Sequence, residues 1–139
     1  MSVYRYALTF EGKVSPHDDM GEQMGLEAST TLGAGLDPAI GAEGASARFD
    51  ALITNDADGS FTLQGEVTLG GGSLSIASVQ PGALAETSDT SIQHSVAECT
   101  ITGGSGSFSG ATGTMVMNFT VDDKARFVDA QTGVVFAGS

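Results

Sequence analysis

Glycine falls at positions 103, 104, 106, 110 and 113 of this chain, in the run Gly103-Gly104-Ser105-Gly106-Ser107-Phe108-Ser109-Gly110-Ala111-Thr112-Gly113. Apolar and polar residues alternate in Thr114-Met115-Val116-Met117-Asn118-Phe119-Thr120-Val121, which follows it. Glycine reaches positive φ and permits close backbone contact, so such a run suits a sheet that bends sharply and closes on itself. The segment predicts two strands joined by a glycine-built corner. It favours a small barrel over a flat sheet.

The rest of the chain keeps the same period of two. Tyr4, Tyr6, Leu8 and Phe10 fall on one face of a first strand, with Arg5, Ala7, Thr9 and Glu11 on the other. Met24, Leu26 and Ala28 share a face, as do Phe49, Ala51 and Ile53, and then Phe61, Leu63, Val67 and Leu69. Further strands are expected over 73–79, about 93–102 and 133–137. Asp58-Gly59, Gly70-Gly71-Gly72 and Gln80-Pro81-Gly82 supply the turns. Segments 14–23 and 32–44 collect proline, glycine and acidic residues without alternation. They read as loops, either gating a cavity at a barrel mouth or simply connecting strands. About eight antiparallel strands in one short chain call for a barrel or a two-sheet sandwich, and the glycine corner selects the barrel. The expected fold is all-β, a single antiparallel β-barrel domain over 1–139.

Charge removes several classes of partner. Seventeen acidic residues against five basic ones give a net charge of −12, a field that repels phosphate backbones and anionic lipid. Neither nucleic acid nor a membrane surface is an expected partner. The single cysteine, Cys99, has no partner for an intramolecular disulfide, which fits a reducing compartment. No cationic stretch followed by a long apolar run opens the sequence, so no secretory signal or transmembrane helix is read and a cytoplasmic location is expected.

Several sharper chemistries drop out on spacing. His17 and His94 lack ligand-like partners, so no metal is expected. Asp56-Ala57-Asp58-Gly59 lacks the first acidic ligand and closing glutamate of a calcium loop and reads as a hairpin turn. The glycine run is followed by strand, not helix, and matches neither a phosphate loop nor a dinucleotide fingerprint. No Gly-x-Ser-x-Gly elbow occurs. Arg48, Asp50, Glu66 and Glu98 suit a solvated outer face, His94 a polar surface, and Cys99 the role of a small buried hydrophobe.

If the apolar face lines a cavity, Tyr4, Phe49, Phe61, Leu63, Met115, Met117 and Phe119 are its substrate-binding wall. The methionines adapt to an irregular chain, though ordinary core packing selects the same residues. Tyr6 is the candidate catalytic contact, because its hydroxyl donates to a substrate carbonyl while its ring supplies wall area.

Gly65-Glu66-Val67-Thr68-Leu69, a glycine turn, Ser73-Leu74-Ser75-Ile76, a loop, and Ile101-Thr102 leading into the glycine corner together resemble the allene oxide cyclase and dirigent-like β-barrel family. In that family a Gly-Gly-Thr/Ala/Ser-Gly-x-Phe-x-Gly-Ala-x-Gly corner follows a short Gly-Ser-Leu or Gly-His-Leu strand. The resemblance implies an eight-stranded antiparallel barrel that folds a hydrophobic small-molecule substrate for cyclisation without a cofactor. Its members include a plant epoxide cyclase, proteins guiding radical coupling, and bacterial barrels closing rings in polyketide biosynthesis. It also implies a homodimer or homotrimer. It places a catalytic glutamate near the end of the first strand, at Glu11, while Lys13 stands where the plant enzymes carry asparagine. Glu11 and Tyr6 lie on opposite faces of one strand and share an interior only if a bulge intervenes.

The expected function is thus a cofactor-independent cyclase or isomerase of natural-product biosynthesis, most simply polyketide-type. A closed pocket would restrict a flexible chain to a reactive conformer and exclude water. Two alternatives stand beside it: a non-catalytic barrel carrying a lipophilic ligand, and a structural or assembly protein whose apolar strand face forms a subunit interface. An interior cavity below about 300 Å³ counts against any drug-sized substrate.

Overall fold

The period-two pattern becomes strand along most of the chain. The structure, a computed structural model, describes residues 1–20 and 22–138. Its strands are β1 (Ser2–Pro16), β2 (Gln23–Thr31), β3 (Ser46–Asn55), β4 (Phe61–Leu69), β5 (Gly72–Ser78), the short β6 (Ala85–Glu86), β7 (Ile92–Gly104), β8 (Thr112–Asp122) and β9 (Arg126–Ala137). Strands β1 to β5 pair in sequence order, β1 also pairs with β9, and β9 continues through β8 to β7. Pairing of β5 with β7 closes an eight-stranded antiparallel barrel, as the glycine corner and strand count predict. Strand β6 lies beside β7 through Ala85 and Glu86. Closure leaves no free sheet edge over the paired lengths.

Two elements run longer than the sequence suggests. Strand β1 continues through Val14 to Pro16, held by Leu26 and Met24 of β2, so the expected loop at 14–23 is strand at both ends. Proline is tolerated at a strand terminus. Strand β9 begins at Arg126 and not near 133. Its inward positions include Asp129 and Gln131, which break the apolar alternation that marks the other strands.

Phe10, Phe49, Val67, Leu74, Met115 and Phe127 meet inside the barrel, each 1 % exposed or less. At one end the glycine corner folds back as a short 3₁₀ turn, Gly106–Phe108, with Gly106 and Gly110 at φ of 59° and 69°. Both angles lie in the left-handed region that favours glycine. The corner delivers Phe108 into the barrel end, edge-on to Tyr4 at 5.4 Å between ring centroids. The 32–44 segment turns Leu32 and Ile40 into the same core, and Gly70 and Gly71 donate backbone hydrogen bonds to Ile40 and Ala39. This end is plugged.

Candidate functional site

Across β7, β8, β9 and β1 the inward side chains fall into rows. Cys99, Met115, Gly133 and Tyr6 form one; Ala97, Met117, Gln131 and Leu8 the next; Ser95, Phe119, Asp129 and Phe10 the third. The Tyr6 ring lies over Gly133, where any added Cβ would overlap it. That placement brings the hydroxyl to Gln131, and Tyr6 donates to Gln131 Oε1 at 2.8 Å. Gln131 Nε2 donates to Asp129 Oδ2 at 2.9 Å, and the Asn118 backbone N–H donates to Asp129 Oδ1 at 3.0 Å. A carboxylate only accepts, so it fixes which way the Gln131 amide points.

Burial pushes the Asp129 carboxyl up to about 6, while the hydrogen bonds from Gln131 and Asn118 pull the other way. Burial likewise raises Cys99 to about 12, with the charges of Asp129 and Glu98 adding to it. Tyr6 is held far above the usual phenol range by burial first and the Asp129 charge second. The phenol and thiol therefore stay protonated at neutral pH, and Asp129 is the group of this network that titrates. Asp129 is 0 % exposed, so this titrating group lies behind a wall of side chains.

The end opposite Phe108 is built differently. Val14, Met24, Ile53 and Leu84 surround an apolar recess of about 220 Å³, and the buried rings of Phe61 and Phe119 lie beneath them. Phe119 faces Asp129 across the β8–β9 ladder, so the polar network begins beside the recess. Behind it the barrel is filled by a chain of rings: Phe61 to Phe119 at 6.2 Å, Phe119 to Phe127 at 5.4 Å, Phe127 to Phe49 at 6.5 Å and Phe49 to Phe10 at 6.0 Å. The recess falls below the roughly 300 Å³ at which a drug-sized molecule is enclosed.

The loops between strands at this open end are acidic. They carry Asp18, Asp19, Asp56, Asp58 and Asp89, beside Glu86 of β6, with Lys124 in the β8–β9 turn as their one lysine or arginine among the described residues. Several acids brace their own turns: Asp56 and Asp58 accept from Ser60, and Asp89 accepts from Ser91. Their charge still points into solvent around an apolar opening.

A wider concavity, about 840 Å³, lies on the outer wall over β2 to β5. Glu27, Asp50 and Glu66 sit there side by side in register, a row of like charges that opposes sheet pairing. Arg48 offsets part of it through Asp50 at 3.0 Å. Among the described residues no group of three or more His, Cys, Asp or Glu side chains is placed to hold a metal ion.

The structure distributes the sequence-predicted residues over distinct places. Phe61 and Phe119 line the recess. Phe49, Leu63, Met115 and Met117 are buried in the packed barrel, and Tyr4 packs on Phe108 at the plugged end. Tyr6 is turned into the Gln131 network. Strand β1 pairs in unbroken register with β9, without a bulge, so Glu11 stays on the outer face, where Arg126 meets it in an ion pair. Glu11 and Tyr6 are not brought together. The chain matches no family model, no curated protein and no solved structure. The residues that sequence reasoning passed over are Asp129, Gln131 and Leu84. Reading the strand parity backward from Val135 and Gly133 puts Gln131 and Asp129 on the inner face, whereas Leu84 lies in a loop where parity carries no information.

Proposed function

We propose that the open end of the barrel is a binding site for a small amphiphile: an apolar chain or single ring enters the recess, and a positively charged group stays among the acidic loops. The recess of about 220 Å³ over Phe61 and Phe119 is the observation that carries this reading. Its walls are side chains that gain by excluding water, at about 25 cal/mol per Å² of apolar surface covered. The acidic rim favours a cation and opposes a free carboxylate. The test is calorimetric titration with hexylamine and hexanoate. Saturable binding of hexylamine, tighter than hexanoate and weakened about tenfold by Leu84→Ala, is expected. Absence of saturable binding by either compound defeats the site; equal binding of both defeats the charge preference.

A catalytic reading attaches to the same opening, favoured by the position of Asp129 next to Phe119 and by its titration near 6. In it, the protein is the cofactor-independent, ring-closing enzyme that the family resemblance implies, and it holds one end of a hydrophobic substrate while the reacting end folds back at the rim. Conversion of a linear precursor at substoichiometric protein supports it; return of the ligand unchanged leaves a carrier.

A further inference from the structure

The acidic residues of this chain avoid one side of the barrel. Every outward position of β8 from Thr112 to Thr120, and of β9 from Val128 to Phe136, is uncharged. The adjoining half of β1 presents Val3, Ala7 and Thr9, with Arg5 as its one charge. Elsewhere each long strand carries an outward acid: Glu11, Glu27, Asp50, Glu66 and Glu98. Glu98 and the Glu11–Arg126 pair mark the borders of the neutral face. Within it Val3 and Phe136 are cross-strand partners and Val134 lies one outward position further along β9; all three are exposed.

We propose that this β1–β9–β8 face is where a second copy of the chain docks, wall against wall, in a reversible dimer. A copy carrying −12 is repelled by its twin at any acidic surface, and this face is where the repulsion is least. A cationic partner would be drawn to the acidic loops or to the Glu27–Asp50–Glu66 row instead. Side chains of threonine, valine and alanine standing on neighbouring strands make a low-relief surface that packs against its own kind, as sheet faces do at about 10 Å separation. Strand β9 has 12 residues, which at about 3.3 Å each, across three strands about 4.8 Å apart, offers a footprint of about 570 Å². That lies below the roughly 800 Å² per partner of a standard stable interface, so the dimer is concentration-dependent.

Sedimentation velocity of the full chain from about 1 μM to about 300 μM tests it. Expected is a species of twice the 14.0 kDa monomer mass at the upper end, favoured as salt rises from about 50 mM to about 500 mM because salt screens the repulsion between copies. Thr132→Glu or Ala130→Glu, both at exposed positions, is expected to return the protein to monomer with its circular dichroism unchanged, while Thr62→Glu on the outer face of β4 leaves the dimer intact. A monomer at every concentration and salt overturns the proposal. So does a dimer that survives both Thr132→Glu and Ala130→Glu, or one that Thr62→Glu disrupts equally.

Discussion

Replacing Asp129 by asparagine should reshape the pH dependence of stability. The carboxyl has an ordinary value of 3.8 and is pushed up to about 6 in the fold. At 1.36 kcal/mol per pH unit, that difference corresponds to about 3 kcal/mol by which the native barrel disfavours the ionised form. Between these two values the folded protein holds more protons on Asp129 than the unfolded chain does. Stability from this group is therefore fully present below pH 3.8 and is lost as pH rises through about 6. In the Asp129→Asn variant that loss disappears. The new amide oxygen still accepts from the Asn118 N–H, but its NH₂ group faces Gln131 Nε2, so the Gln131 amide must turn over. Gln131 Nε2 then donates to the Tyr6 oxygen and the Tyr6 proton is left without its acceptor, at a cost of about 1–3 kcal/mol. The variant should thus be about 1–3 kcal/mol less stable than the parent near pH 4 and equal or more stable near pH 7. Urea titrations of both proteins across this range give the difference, in which the titrations of all other carboxylates cancel. Parallel stability curves for parent and variant would show that Asp129 does not titrate in this window and refute the reasoning.

Tyr6→Phe should lower stability by about 1–3 kcal/mol, because Gln131 Oε1 stays buried without its donor; an unchanged urea midpoint would mean that water reaches the site. Gly133→Ala should destabilise more than a Gly→Ala change at exposed Gly33, since its Cβ overlaps the Tyr6 ring while nothing lies near Gly33; thermal melts of the pair decide it. Phe108→Ala should cost about 3–5 kcal/mol by emptying the plugged end, and a loss below 1 kcal/mol would show that the corner does not anchor the barrel.

How much of this was legible in the residues depended on parity. Tyr4-Arg5-Tyr6-Ala7-Leu8-Thr9-Phe10-Glu11 separates its two faces without ambiguity, because an antiparallel strand with one buried side must alternate. The Gly103–Gly113 run marked the corner, since Gly106 and Gly110 occupy angles that side chains resist. The start of β9 was hidden for the same physical reason that it matters: polar Asp129 and Gln131 take inward positions while Val128 and Ala130 point out, so hydrophobicity there runs against the burial pattern.

Sequence alone determined that this chain is a closed β-structure and which side chains share a face, because both follow from a period of two and from glycine at the bends. Only the tertiary structure decided what lies inside. Alternation assigns a residue to the interior without saying whether eight inward faces meet or leave a void. Here Phe10, Phe49, Phe119 and Phe127 come together across strands far apart in sequence and fill the space. The apolar recess over Phe61 and Phe119 lies at the end opposite Phe108, and the pairing of Tyr6, Gln131 and Asp129 depends on β1 lying beside β9, a contact between the two ends of the chain.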